Sequence, residues 1–308
     1  MTGLAAERRG GIWTAAKAAN TLGESPVWCE RAQALYWVDI RAPALLRLDT
    51  AGTITRWPMP DLCAGVVLAE DGLVLAMRHG LAWFDPAGGR FGSLLPVESA
   101  ALENRLNEIG CDRRGRLWVG SMRDYGAATT GALYRIDADL SARRVLADIT
   151  IPNSLCWSPD GATMYFADSG EGGIRAYPFD GARGLPDETA ARILIRPGAA
   201  PGRPDGSAID AAGFVWNARV GGGCLVRIAP DGRIDRVIPL PVSQPTACTF
   251  GGRDLHTLYI TTARQRLPAA ELLRQQAAGD VLAMRANVPG LPAARFAGTT
   301  RHIKDQLA

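Results

Sequence analysis

The segments CDRRGRLWVGSM (Cys111–Met122), CWSPDGATMYFADS (Cys156–Ser169) and AIDAAGFVWNARV (Ala208–Val220) are variations on one pattern. Each passes from small apolar residues through an acidic, Gly-bearing turn into a short apolar or aromatic run. Looser copies are VWCERAQALYWVDI (Val27–Ile40), which lacks the Gly, VLAEDGLVLAM (Val67–Met77) and CTFGGRDLHTLYITTA (Cys248–Ala263). The runs centre on Tyr36, Val74, Trp118, Tyr165, Trp216 and Tyr259, with steps of 38 to 51 residues. Each is followed by another short strand-like stretch: Leu45–Asp49, Leu81–Asp85, Ala132–Asp137, Ile174–Asp180, Cys224–Gly232 and Val281–Ala286. One four-stranded antiparallel blade uses about this much chain. The repeat therefore predicts an all-β, six-bladed β-propeller, a single domain over residues 11–308. The segment Gly11–Ala19 is expected to add an outer strand to the last blade and close the ring, because closure removes exposed sheet edges. Residues 1–10 read as a flexible N-terminus. Helical patterning is confined to LPAAELLRQQAA (Leu267–Ala278), with Pro268 near its start and Gly279 just after its end.

Composition agrees with this architecture. A length of 308 residues would by itself suggest roughly two domains, but closed β-rings run longer as one unit. The chain has 35 Gly and 20 Pro, an excess over an average chain that the blade turns account for. A net charge of +3, with no block of basic residues, argues against nucleic-acid binding. No apolar run is long enough for a transmembrane helix, and no apolar leader precedes the repeats. The expectation is a cytoplasmic protein with reduced thiols, monomeric or a weak homodimer. No Cys-x-x-Cys pair occurs among the six cysteines, which excludes a zinc ribbon. Cys111, Cys156 and Cys248 share one inner-strand position and read as small core residues. His79, His256 and His302 read as structural or solvated, and no G-x-S-x-G elbow is present.

The repeat is also a ruler. Eight residues before the turn of each copy stand Glu24, Ala64, Asn107, Asn153, Asp205 and Gln244. These positions should share one end of the central tunnel, and five of them carry side-chain oxygens. Buried polar groups need partners, and such oxygens suit a hard cation or tunnel water.

Several motifs, in order, resemble the regucalcin/gluconolactonase/luciferin-regenerating-enzyme family. They are GESPVW (Gly23–Trp28), RLNEIGCDRRGRLWVGSM (Arg105–Met122), IPNSLCWSPDG (Ile151–Gly161), PDGSAIDAAGFVW (Pro204–Trp216) and FGGRDLHTLYITTA (Phe250–Ala263). The resemblance runs from about Gly11 to Gly298. It implies a metal-dependent sugar lactonase of carbohydrate metabolism, with one divalent cation held by Glu24, Asn153 and Asp205. Ca²⁺ comes first among the candidates, followed by Mg²⁺, Mn²⁺, Zn²⁺ and Fe²⁺. It also implies that Arg105 and Asn107 bind substrate hydroxyls. The sequence departs from the family where Glu108 and Ile109 follow Asn107. It departs again after Gly120-Ser121-Met122, where Tyr125 stands at the place of an acidic substrate contact. Glu108 and Tyr125 are accordingly candidate substrate contacts, and the 123–130 loop a candidate pocket rim. The implied reaction opens a sugar lactone, with Asp205 as ligand and general base. Hydrolysis of another ester or phosphotriester, or calcium binding without turnover, are the alternatives.

Overall fold

The computed structural model of the chain describes residues 11–298, and the predicted flexible residues 1–10 and His302 lie outside that range. Six antiparallel sheets form the described structure. Blade 1 comprises Gly23–Cys29, Ala34–Asp39, Ala44–Leu48 and Ile54–Pro58. Blade 2 comprises Cys63–Ala69, Leu73–Met77, Gly80–Asp85 and Arg90–Pro96. Blade 3 comprises Asn104–Cys111, Leu117–Arg123, Gly131–Ile136 and Ala142–Ile149. Blade 4 comprises Pro152–Trp157, Thr163–Asp168, Ile174–Asp180 and Arg192–Ile195, with a short ribbon at Leu185–Pro186. Blade 5 comprises Arg203–Ile209, Val215–Val220, Cys224–Ile228 and Ile234–Pro239. Blade 6 comprises Pro245–Gly251, Thr257–Thr262 and Val281–Arg285, and its fourth strand is the N-terminal Trp13–Ala16. The first strand of each blade packs against the first strands of both neighbours, so the six line a closed central tunnel.

The repeat motif has a physical basis in its turns. Asp112 Oδ1 accepts the N–H groups of Arg114 and Arg116 at 2.9 and 3.2 Å, while its Oδ2 accepts Trp118 Nε1 at 3.2 Å. Asp210 repeats the arrangement with Ala212, Phe214 and the Trp216 indole, each at 3.0 Å. Gly115 and Gly213 follow in the left-handed region, with φ of 77° and 83°, where a side chain is disfavoured. Asp-x-x-Gly-x-x-Trp is thus one hydrogen-bonded unit that closes the turn and fixes the indole in the core. The aromatic positions meet across blade seams. Trp118 packs on Trp157, Trp216 on Phe250 and Trp28 on Tyr259, with ring centroids 5.8 to 5.9 Å apart.

The predicted helix is shorter than its pattern. It spans Ala269–Arg274 only. Beyond Arg274 the backbone leaves helical geometry at Gln275 (φ −109°), whose Oε1 is held by the Ser243 N–H at 2.7 Å. The apparent strand Cys224–Gly232 likewise stops at Ile228, and Ala229–Gly232 is a turn closed from Gly232 N–H to Ala229 O. No helix among the described residues is long and apolar enough to cross a membrane.

Sheet packing is tight at several glycines. A Cβ on Gly131 would stand 2.0 Å from Ser121 O and 2.8 Å from Ile149 O, both backbone atoms that cannot swing aside. Gly131→Ala is therefore expected to cost about 1–3 kcal/mol. Thermal denaturation checks this, and an unchanged Tm would refute it.

Candidate functional site at the tunnel mouth

The first strands all begin at one end of the tunnel, and each carries an irregularity there. Register slips between Glu24 and Val27, Cys63 and Gly65, and Leu106 and Ile109. It slips again between Asn153 and Cys156, Pro204 and Ser207, and Pro245 and Ala247. Bulges re-aim side chains, and here a ring of them surrounds the mouth. At two of them a non-glycine residue takes the left-handed conformation: Ser25 (φ 50°) and Ser154 (φ 61°). Such a residue costs of order 1–3 kcal/mol unless its surroundings hold it there. Ser25 Oγ accepts the Val66 N–H of blade 2 at 3.0 Å, and Ser154 Oγ bonds Ser207 Oγ of blade 5. The two residues just before these serines are Glu24 and Asn153.

A polarised hydrogen-bond relay joins three of the predicted residues. Arg105 Nη1 donates to Asn107 Oδ1 at 2.7 Å, and Asn107 Nδ2 donates to Asn153 Oδ1 at 3.3 Å and to Pro152 O at 2.9 Å. Asn153 Nδ2 in turn donates to Ser169 Oγ at 2.8 Å, and Ser169 Oγ donates to Pro204 O. Because its nitrogen is occupied by Ser169, the Asn153 amide keeps its oxygen on the Asn107 side. Asp205 is held from behind: its carbonyl accepts Asn217 Nδ2 at 2.8 Å, while among the described residues its carboxylate takes a backbone hydrogen bond from Gly206 and none from a side chain. Among the described residues, Glu24 Oε2 accepts only the adjacent Ser25 N–H, at 3.2 Å.

Three carboxyl groups meet in this crowded space. Burial pushes Glu24 up to about 7, against the pull of the Ser25 N–H and the Arg105 charge. Burial pushes Glu108 up to about 8, and the negative charge of Glu24 adds to the shift. Asp205 is raised well above the ordinary range, first by burial and then by Glu24 and Glu108. Carboxylates crowded this way favour protons or a cation. Among the described residues no three His, Cys, Asp or Glu side chains close to metal-binding distance. A cation here would therefore take the Asn153 amide oxygen together with Glu24 and Asp205. That oxygen-only donor set fits a hard divalent ion.

The other predicted positions fall in distinct places. Glu108 sits below the mouth, in the wall of a tunnel cavity of about 170 Å³, with its Oε1 accepting the Leu155 N–H at 3.2 Å. Cys111, Cys156 and Cys248 line the same cavity. Burial raises all three thiols, Cys248 to about 12, so they are poor nucleophiles. Leu291 and Pro292 lie against the cavity as the chain crosses the tunnel's far end to pair Arg295–Phe296 with blade 2. Tyr125 is 69% exposed on the rim, and its hydroxyl accepts Arg41 Nη1 at 3.2 Å. Gln244 precedes its strand, and its Nε2 donates outward to Gln265 O. Thr246 fills the bulge of blade 6 in its place. The turn count misses here because the blade 6 turn has two left-handed residues, Gly252 (φ 81°) and Leu255 (φ 54°), with Leu255 at the place of Gly115, and because its bulge skips one residue where that of blade 3 skips two. Sequence reading also missed Ser169 and Asn217, which orient the predicted groups, and the rim arginines Arg41 and Arg78. None of these recurs from copy to copy, so the repeat carries no signal for them.

Residues 22–264 match the model of the SMP-30/Gluconolactonase/LRE-like region. The chain is 39% identical to a Pseudomonas putida protein named 6-deoxy-6-sulfogluconolactonase, covering 91% of this chain and 96% of that protein. It is 38% identical to an Azospirillum brasilense protein named L-arabinolactonase, covering 92% and 94%. Among solved structures, a calcium-binding protein, regucalcin, from Agrobacterium tumefaciens superposes with a TM-score of 0.87 at 29% identity, covering 92% of this chain and 96% of that one.

Proposed function

The chain belongs to the SMP-30/gluconolactonase/LRE-like family, and on that footing we propose that it hydrolyses a sugar lactone, using one divalent cation at Glu24, Asn153 and Asp205. The observation that carries this reading is the Arg105–Asn107–Asn153 relay beside the carboxyl groups of Glu24 and Asp205, both raised by burial and without a salt bridge among the described residues. It sets sugar-binding donors directly against a cation-binding acceptor set. The relatives' names, 6-deoxy-6-sulfogluconolactonase and L-arabinolactonase, agree on a sugar lactone and differ on whether the sugar carries a sulfo group.

When bound, the cation supplies Lewis-acid polarisation of the lactone carbonyl. The protein's residues do the rest. Asp205 takes a proton from the attacking water as its oxygen bonds to the carbonyl carbon. The ring C–O bond then breaks, and the ring oxygen leaves as a hydroxyl carrying that proton. The product is an open-chain aldonic acid, which ionises in neutral solution. Arg105 and Asn107 hold the ring hydroxyls, so that carbonyl and water meet in a reactive geometry. Ser169 and Asn217 keep Asn153 and Asp205 aimed at the mouth.

The test is proton release from a panel of aldonolactones, esters and a phosphotriester, with chelator or with Ca²⁺, Mg²⁺, Mn²⁺ or Zn²⁺ added. Metal-dependent turnover of lactones alone supports the proposal. Turnover of the other esters alone transfers the site to that chemistry. Calcium binding without turnover would leave a protein like the calcium-binding structural relative. Within the panel, Arg105→Lys is expected to raise KM about tenfold with a smaller change in kcat. The ammonium keeps the charge but cannot reach Asp124, Leu106 O and Asn107 together, as the guanidinium does. An unchanged KM would remove Arg105 from the substrate site.

A further inference from the structure

Three blades deliver an arginine to one carboxylate on the rim. Asp124 Oδ1 accepts Arg41 Nη2 at 2.6 Å and Arg105 Nε at 3.1 Å, and its Oδ2 accepts Arg78 Nη1 at 3.0 Å. Arg41 leaves the turn after the second strand of blade 1, Arg78 the corresponding turn of blade 2, and Arg105 the first strand of blade 3. All three sites are at the mouth end, because the first strands start there and the second strands finish there. Asp61, half-exposed, pairs with Arg78 Nε from outside at 3.1 Å. The Arg41 guanidinium also lies under the Tyr125 ring, 4.8 Å from its centroid.

The charges do not cancel. Three guanidinium groups face two carboxylates, and only Asp124 is shared by all three. Arg105 is 5% exposed, its Nε and Nη1 are used, and its Nη2 has no hydrogen-bond partner among the described residues. Its pKa is lowered to about 10, first by burial and then by the charge of Arg41 beside it. Burial also works to raise Asp124, but the hydrogen bonds from Arg41 and Arg78 hold it below its ordinary range. Asp124 therefore stays ionised and serves as the peg that orients the three arginines, which outnumber by one the carboxylates they hydrogen-bond. Neutral sugar hydroxyls would need no such excess.

The mouth thus has two poles. Glu24 and Asp205 form the acidic one, with Glu108 below them in the tunnel, and the arginines form the basic one. Only the Asn107 and Asn153 amides separate Arg105 from the acidic pole. The geometry points to Arg41, Arg78 and Arg105 as the receptor for an anionic group on the substrate. The group is a sulfonate, phosphate or carboxylate at the end of the lactone remote from its carbonyl. Planar guanidinium forks bind such oxyanions through paired charged hydrogen bonds. The inference rests on the lactonase reading above and adds the charge of the substrate to it.

The test compares glucono-1,5-lactone with its 6-sulfo-6-deoxy, 6-phospho and 6-carboxylate counterparts at low ionic strength. Wild-type kcat/KM is expected to favour at least one charged lactone by about tenfold or more, chiefly through KM. The three charged arms identify which anion is preferred. Arg41→Gln and Arg78→Gln should each lower that preference about tenfold, and 0.5 M salt should shrink it, at a Debye length of about 4–5 Å. Equal or higher kcat/KM for the uncharged lactone than for all three charged ones overturns the inference and leaves the lactonase reading standing. If no lactone turns over with any metal, that reading fails, and calorimetry with the open-chain aldonic acids then decides the arginine site. Tenfold tighter binding of a 6-charged acid than of the 6-hydroxy acid, lost in Arg41→Gln, supports it; equal binding overturns it.

Discussion

Asp205→Asn is expected to abolish lactone turnover and, at the same time, to stabilise the metal-free protein. The two effects have one origin. Asp205 is 7% exposed, and its carboxyl group is raised by burial and by the charges of Glu24 and Glu108, offset only in part by the Gly206 N–H and the Arg105 charge. Asparagine keeps the shape and an oxygen for the cation but cannot accept the proton of water. Loss of a positioned general base removes roughly 10²- to 10⁴-fold in kcat. The same substitution deletes one of three mutually repelling buried charges. In chelator at pH 8, Tm should therefore rise above that of wild type. Asp205→Ala separates the roles further, because it also removes the ligand oxygen and should weaken metal binding. Assays of kcat and Tm on the same preparations check both halves. Turnover within threefold of wild type in Asp205→Asn would end the general-base assignment. A lower Tm in chelator would show that Asp205 is satisfied by a partner other than a cation.

Much of this geometry was legible from the repeat, and the reasons for the failures are specific. A four-stranded blade leaves a period in the sequence because each turn needs the same Asp and Gly chemistry, seen at Asp112–Gly115 and Asp210–Gly213. Counting back from those turns led to Asn107 and Asp205, which lie in their strands' bulges. In blade 1 the left-handed turn residue is Gln33 (φ 46°), and in blade 6 it is Leu255. Neither looks like a turn signal; in blade 1 the count still reached Glu24, but in blade 6 it slipped, and Gln244 was placed on a ring where Thr246 belongs. The rim was less legible still. Asp124, Arg41 and Arg78 come from three different blades, and no periodicity relates them. Their convergence depends on blade-to-blade placement, which only the closed ring fixes.

Stability of the metal-free protein is expected to fall as pH rises from about 5 to 8, and metal is expected to remove that slope. Glu24 and Glu108 have folded-state values of about 7 and 8 against an ordinary 4.5, with burial the leading cause in both. Asp205 is raised in the same direction. A folded pKa above the unfolded one means that the native state holds the proton more tightly. The resulting stabilisation is complete below the unfolded value, near pH 4, and is lost as pH climbs through the folded values. For three such groups the loss is on the order of several kcal/mol. A cation at Glu24 and Asp205 competes with those protons, so its own stabilisation grows over the same interval. Carboxylates such as Asp254, lowered chiefly by its hydrogen bond to Arg285, act oppositely and only in acid, since their contribution disappears below about pH 4. The two windows therefore do not overlap. Tm recorded from pH 5 to 9 in chelator, and again with saturating Ca²⁺ or Mn²⁺, should give a falling curve and a nearly level one that diverge above pH 6. Glu24→Gln should make the chelated curve shallower and narrow the gap between the two, since it removes one titrating group and one ligand together. Parallel curves with and without metal would show that no cation binds these carboxylates. A chelated Tm that rises toward pH 8 would show that they are ionised in the folded protein at neutral pH without one.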